Sequence, residues 1–262
     1  MMYKEIPCIR KSGDEYTATM HPVVEEVPVA LFVNGRHAAT VMTSPTMLKE
    51  LIVGFLLTEG IIKSIDEIEA LSVDNDQAEV LTKNPYKILF SKKTVLSGCG
   101  GSSSFLDTKK LPKIHSDLRV TPEQVSTGLK AVLNSPLHML TGGVHVVGLI
   151  QGDQHLAVVE DIGRHNALDR VIGYAALNRI DLSQTFVTCT GRISSEMAHK
   201  CLIANIPIIV SRGATTTLAV EIARAGGLTV IGFVRSDKMN IYSGEERVSG
   251  VGSLLDIPAP VE

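Results

Sequence analysis

Residues 186–234 read FVTCTGRISSEMAHKCLIANIPIIVSRGATTTLAVEIARAGGLTVIGFV. Three short apolar runs, 186–190, 207–211 and 228–234, alternate with two stretches of helical periodicity, 194–204 and 215–224. Strands that alternate with helices pair in parallel through right-handed crossovers. Nearly all-apolar strands are expected where both faces of a sheet are covered. The pattern extends upstream. Residues 145–150 and 155–162 read as strands joined at Gly152-Asp153, and 164–178 reads as a helix. Thr121-Pro122-Glu123-Gln124 opens another helix, with threonine as cap and glutamine placed to reach back.

The first third has a different rhythm. Residues 27–33 form a strand candidate, Asn34-Gly35 favours a tight hairpin turn, and 36–43 should return beside it. Ser44-Pro45 opens a helix over 45–59, striped by Met47, Leu48, Leu51, Ile52, Phe55 and Leu56 and closed by Gly60. Cys8 sits in a further strand candidate, and two more strands are expected near 77–81 and 86–90. The segment SKKTVLSGCGGSSSFLDTKKLPKIHSD follows, rich in glycine, serine and lysine. It reads as a mobile loop. The expected organisation is a smaller, mainly antiparallel β domain over 1–118, ending in a cysteine loop at 91–118, and an α/β domain over 119–262. The fold class is α/β, α+β overall.

Composition narrows the function. The chain has 262 residues, 44% of them hydrophobic and 20% charged, which fits a folded globular protein. A net charge of −3 supplies no basic field for nucleic acid. The longest strongly apolar run, 51–57, is too short to span a bilayer, and the first residues, MMYKEIPCIRKSGDEY, hold no apolar stretch of the length a signal peptide needs, so none is expected. A cytoplasmic protein with reduced cysteines is expected.

Ligands of open α/β sheets bind beyond the carboxyl ends of the strands. Four such ends carry an arginine: Arg164, Arg192, Arg212 and Arg235. Three have a glycine beside them, and three sit where a helix should begin. Free amides, a positive helix end and a guanidinium favour a phosphate-like anion. In EDIGRHN, Glu160, Asp161, His165 and, further on, Asp169 suit a ligand or acid–base role. Equally, Glu160 and Asp161 suit pairing with Arg164 and capping of the helix. His145 reads either as a hydrogen-bonded core histidine or as a catalytic one. Of four cysteines, Cys8, Cys189 and Cys201 read as packing residues. Cys99, in Ser97-Gly98-Cys99-Gly100-Gly101, has nothing nearby to bury it, and lysines in its segment favour the thiolate. Ser102, three residues on, rules out a Cys-x-x-Cys pair.

VNGRHAATVMTSP, LLTEGII, SGCGG, TGGVH, EDIGRHNALDRVIG, GRISSEM, SRGATT and GFVRSDKMNIYS together resemble the FdhD/NarQ family of formate dehydrogenase accessory proteins. The resemblance implies a sulfur carrier, closer to a sulfurtransferase than to an ordinary turnover enzyme. It would take sulfur as a persulfide from a cysteine desulfurase. It would pass that sulfur to the molybdenum (or tungsten) bis(guanine dinucleotide) cofactor before insertion into formate dehydrogenase. By position, Cys99 is the persulfide residue. Phe233, Val234, Arg235, Ser236, Asp237 and Lys238 form the cofactor-binding segment, with Arg212, Gly213, Arg192, Arg164 and His165 as further contacts. The family commonly has Cys-Gly-x-Cys in the loop, where this chain ends in Ser102. The resemblance also implies a cytidine deaminase-like C-terminal domain. The His-x-Glu and Pro-Cys-x-x-Cys pattern of zinc deaminases is missing, so no metal is expected. A homodimer would offer paired sites to a ligand with two guanine nucleotides. The rival readings are a cofactor-binding chaperone or scaffold without thiol chemistry, and a metal-dependent nucleotide hydrolase.

Overall fold

The computed structural model describes residues 2–74, 76–84 and 111–251. The strand expected at 86–90 and the cysteine loop through residue 110, with Cys99, lie outside the described residues.

The chain opens with a two-stranded antiparallel ribbon, β1 (Tyr3–Ser12) and β2 (Glu15–Val24). Next come β3 (Val27–Val33) and β4 (Arg36–Thr43), joined at Asn34 and Gly35, both with positive φ as the dipeptide demands. With β5 (Ile68–Asp74) and β6 (Gln77–Thr82) they form a four-stranded sheet in the order β4-β3-β6-β5. Its inner face, including Val29, Leu31, Val33, Val41 and Val80, packs on Leu51, Ile52, Phe55 and Leu56 of helix α1 (Leu48–Thr58).

The second layer is a six-stranded sheet. Its strands are β7 (His145–Gln151), β8 (Gln154–Asp161), β9 (Phe186–Cys189), β10 (Ile208–Ser211), β11 (Thr229–Arg235) and β12 (Lys238–Ser243). They lie in the order β12-β11-β10-β9-β7-β8. Helices α2 (Pro122–Leu133), α3 (Pro136–Thr141), α4 (Arg164–Leu177), α5 (Ser195–Ile203) and α6 (Thr217–Gly226) complete it. Alternate strand residues divide between the faces. Val187, Ile209 and Val230 pack with α4, α5 and α6, while Phe186, Ile208, Val210 and Ile231 pack with α2. The capping box of α2 forms as expected, Thr121 and Gln124 exchanging hydrogen bonds of 3.1 and 3.0 Å.

Several expectations need correction. Within the six-stranded sheet only β9, β10 and β11 pair in parallel; β7, β8 and β12 are antiparallel to their neighbours. The segment after β11 returns at once as β12, because residues at positive φ (Phe233 and Ser236) turn the chain. Helix α1 starts at Leu48, not 45. Ser44 is buried, and its hydroxyl accepts the Ile162 amide at 3.3 Å instead of capping α1. Cys8 is exposed on β1 and packs into no core.

The two layers meet where α1 crosses α4. A methyl group built at Gly54 would lie 1.7 Å from the Asp169 carbonyl oxygen, and one at Gly173 would lie 1.8 Å from that of Glu50. Backbone touches backbone, which only glycine permits here. Buried charges flank the crossing. Arg170 Nη2 sits 2.7 Å from Asp161 Oδ2, with both side chains at 0% exposure. The same guanidinium donates to Thr43 Oγ1 and the Ser44 carbonyl at 2.6 and 2.7 Å. Lys200 donates to Asp169 Oδ2 at 2.9 Å and to Thr58 Oγ1 at 2.9 Å. Each pair thus joins the second layer to residues of the first.

Gly173→Ala should part these helices and cost at least about 3 kcal/mol in urea unfolding, the upper range for overpacking. Gly54→Ala should cost a similar amount. The double variant should cost less than the sum, because both relieve one contact.

Candidate functional site at the carboxyl edge of the six-stranded sheet

β7 runs antiparallel to both β8 and β9, so β8 points the same way as β9, β10 and β11. All four end at one edge, where the sequence placed its arginines. The turns there interlock. The Arg212 amide donates to the Cys189 carbonyl at 3.2 Å, the Ile193 amide to Ala214 O at 2.9 Å, and the Phe233 amide to Gly213 O at 3.0 Å. Ser211 Oγ donates to Gly191 O at 2.6 Å and accepts the Gly213 amide at 2.8 Å. Gly191 leaves room for two side chains, since a methyl there would meet His145 Nδ1 at 3.0 Å and Arg164 Cβ at 3.1 Å.

The expected residues therefore converge unequally. Arg192, Arg212 and Arg235 are exposed at this edge, and Arg235 Nη1 donates back to the Arg212 carbonyl at 2.5 Å. Arg164 opens α4 and is half-buried; its Nε is buried and has no hydrogen-bond partner among the described residues. The starts of α5 and α6 are already capped by Ser194 and Thr216, so Arg192 and Arg212 stand shortly before those caps. Phe233 has φ 53° yet is 46% exposed. A bulky side chain in the left-handed region is strained, by about 1–3 kcal/mol, and such strain gathers at functional positions. An open cavity of about 460 Å³ lies beside it, lined also by Asp237, Lys238, Met239 and Ile241. Gly213 lies in the turn beside Arg192. Ser236 is exposed, and its carbonyl accepts from Ser126 at 2.8 Å. Val234 is a departure from the expected set: it is 2% exposed and belongs to the core on the α2 face.

The acids of EDIGRHN serve the fold. Asp161 pairs with Arg170, not Arg164, and its other oxygen accepts the Gly163 amide at 2.7 Å and Asn166 Nδ2 at 3.0 Å. Glu160 accepts from the Ser135 hydroxyl and from the His138 amide. Burial lifts the Asp169 carboxyl to about 6, with Lys200 and Thr58 pulling the other way. Among the described residues no three His, Cys, Asp or Glu side chains gather as a metal would require.

His165 stays at the edge. Its Nε2 lies 3.2 Å from Ser194 Oγ and 3.5 Å from Glu196 Oε2. Sequence reasoning missed this grouping, because the residues come from two helices about thirty positions apart. Burial, then the charges of Arg164 and Lys200 and the His145 ring, push the His165 imidazole down to about 3. Burial, then Arg164 and His138, also lower His145. Both rings are therefore held neutral, as uncharged polar neighbours of Arg164.

The unfolded chain protonates His165 near 6.5, the folded chain only near 3. The unfolded state thus binds more protons in that window, and this group costs stability as pH falls through it. Imidazole ¹⁵N shifts should show a neutral His165 from about pH 8 to pH 5. His165→Gln should flatten the acid side of the stability profile. Asp169 titrates in both proteins and cancels in the difference.

The sequence matches the FdhD/NarQ family pattern over residues 24–249. It is 37% identical over 234 residues to a Wolinella succinogenes protein named sulfur carrier protein FdhD, covering 86% of this chain and 82% of that one. A Staphylococcus haemolyticus protein of the same name is 38% identical over 251 residues, covering 92% and 94%. A crystal structure of a formate dehydrogenase accessory protein from Desulfotalea psychrophila superposes with a TM-score of 0.81 at 27% identity, covering 95% of this chain and 100% of that one. A shared pattern over most of the length, relatives above 30% identity and a common architecture agree: the chain belongs to the FdhD/NarQ family.

Proposed function

We propose that this protein carries sulfur for formate dehydrogenase. The Cys99 thiolate attacks the outer sulfur of a cysteine desulfurase persulfide. The S–S bond breaks, the desulfurase thiolate leaves, and Cys99 holds the sulfane sulfur. The substrate that receives it is the molybdenum or tungsten bis(guanine dinucleotide) cofactor, before its insertion into formate dehydrogenase. When the Cys99 S–S bond breaks, Cys99 leaves as thiolate and the outer sulfur is handed over at the sulfane level, so the reduced metal of the acceptor would supply the two electrons that turn it into a sulfide ligand. In this reading the six-stranded layer is a cytidine deaminase-like fold kept for nucleotide binding without the metal chemistry.

The observation that carries the thiol assignment is the division among the cysteines. Burial pushes the Cys189 thiol up to about 11, and burial, then Cys189, pushes Cys201 higher still. Both remain protonated and enclosed, which makes them poor nucleophiles. Cys99 instead stands among glycines and serines. Cys8 is exposed on β1 and is separated from Cys99 by experiment. With a desulfurase and ³⁵S-cysteine, wild type and Cys8→Ala should load one sulfane sulfur, and Cys99→Ala should load none. Equal loading of Cys99→Ala overturns the assignment. Full formate dehydrogenase activity supported by Cys99→Ala would favour the cofactor-binding scaffold.

The strained, exposed Phe233 beside Arg212 and Arg235 supports binding of the cofactor's guanine nucleotide end. An aromatic face can stack on a base for about 1–3 kcal/mol while the guanidinium groups take phosphate oxygens. Phe233→Gly should weaken GDP binding about tenfold or more in calorimetry while raising the melting temperature, since glycine relieves the strain at φ 53°. Arg212→Ala and Arg235→Ala should weaken GDP without that gain.

A further inference from the structure

Arg164 stands apart at the edge. Its Nε is shielded from solvent and has no hydrogen-bond partner among the described residues. A buried guanidinium N–H left without an acceptor is costly and calls for an explanation. The nearby acids do not supply one. Asp161 is committed to Arg170, and Glu160 to Ser135 and His138. Other donors surround the same point. Gly191 runs beneath the Arg164 stem and His145 Nδ1, since a methyl on it would meet them at 3.1 and 3.0 Å. Helix α4 has no side-chain cap at Gly163, whereas α5 and α6 are capped by Ser194 and Thr216. The Ala167 amide bonds to Gly163 O, and the amides of Arg164, His165 and Asn166 precede the helical ladder. Ser194 adds a hydroxyl. His165 Nε2 lies 3.2 Å from Ser194 Oγ and 3.5 Å from Glu196 Oε2. A carboxylate only accepts, which places the ring proton on Nε2. Ser194 Oγ then accepts from His165 and from the Met197 amide, and its own proton is left to donate. Both imidazoles are neutral, so the positive charge here comes from Arg164 and the start of α4.

We propose that this recess is a second anion subsite, beyond Arg212 and Arg235, which takes a compact tetrahedral oxyanion on the Arg164 guanidinium, the first amides of α4 and the Ser194 hydroxyl. All three are donors, and together they match an ion whose oxygens accept. Position along the edge names the sources of such an ion. Gly191 follows β9 and Phe233 lies near the end of β11, two strand spacings away, or about 10 Å. The ground between them is backbone. A methyl at Gly213 would meet the Arg192 amide nitrogen at 3.3 Å, and one at Gly232 would meet the Gly213 carbonyl at 3.3 Å. A nucleotide with its base on Phe233 and its first phosphate at Arg212 and Arg235 would bring one of two groups to Arg164. One is its own distal phosphate. The other is the oxygen-bearing metal head of the proposed substrate. Both present the same oxyanion chemistry. The nucleotide reading above names these sources, but the subsite itself requires neither Cys99 nor GDP.

Tungstate and inorganic phosphate are the probes, titrated into the full chain by calorimetry while the imidazole ¹⁵N signals of His145 and His165 are followed. Wild type should bind tungstate, with phosphate as competitor, and the His165 signals should move. Arg164→Met keeps an unbranched stem over Gly191 and removes the unpaired Nε. It should weaken tungstate about tenfold or more, yet raise the melting temperature of the free protein. Arg212→Ala should weaken GDP and leave tungstate binding in place. Displacement of tungstate by GDP but not by GMP supports the subsite and identifies its occupant as the distal phosphate. Tungstate and GDP bound together support it and identify the metal head. If tungstate binds through Arg164 while GDP does not bind at all, the nucleotide reading falls and the subsite stands. A wild type that binds neither probe overturns the proposal. So does tungstate binding that is unchanged in Arg164→Met, or lost equally in Arg212→Ala.

Discussion

The crossing of α1 on α4 is the constraint on which the rest depends. Gly54 and Gly173 let two backbones touch, and that closeness fixes the separation of the sheets on either side. Burying Asp161, Arg170, Asp169 and Lys200 in the same seam is costly unless each finds its partner. They do, and partners come from both layers: Thr43 and Ser44 for one pair, Thr58 and Glu59 for the other. Few other arrangements of the two layers would satisfy these groups, so the ion pairs act more as a register than as a source of net stability.

That register reaches the candidate site through α4. The helix carries Arg164 and His165 at its first turn, Asp169 and Arg170 in its middle, and Gly173 at the crossing. Asp161 binds the turn at Gly163 with one oxygen and β4's end with the other. The edge that gathers the arginines is therefore anchored to the first layer rather than standing on the second layer alone. Phe233 shows the converse. Its backbone is held in a strained conformation by the Gly213 carbonyl, and the residue is left partly exposed where a base could stack.

Much of the second layer was legible as sequence. Alternation of apolar runs with helical stripes located β7 through β11 and α4 through α6 to within a few residues. The Thr121–Gln124 box and the Asn34-Gly35 turn formed as their chemistry requires. The strand-end rule placed Arg164, Arg192, Arg212 and Arg235 at one edge, which they share. Errors fell where a local signal served a distant partner. Ser44-Pro45 has the signature of a helix start, but Ser44 is claimed by Ile162. Asp161 stands three residues from Arg164 yet pairs with Arg170, because the helix turns Arg170 back toward the seam and Arg164 toward the edge. Val234 lies inside the expected cofactor segment, but strand alternation sends it into the core.

By itself, the sequence determined the kind of most second-layer elements, the hairpin and helix of the first layer, and the motifs that mark the family. These follow from interactions among residues close in the chain: periodicity, caps, turns and local composition. The tertiary structure alone decided strand order, the antiparallel flanks β7 and β12, and which acid meets which base. The buried pairs among them are completed by residues more than a hundred positions apart, such as Thr43 with Asp161 or Thr58 with Asp169. No local pattern encodes such a pairing. It exists only when two helices approach closely enough for buried charges to choose their partners.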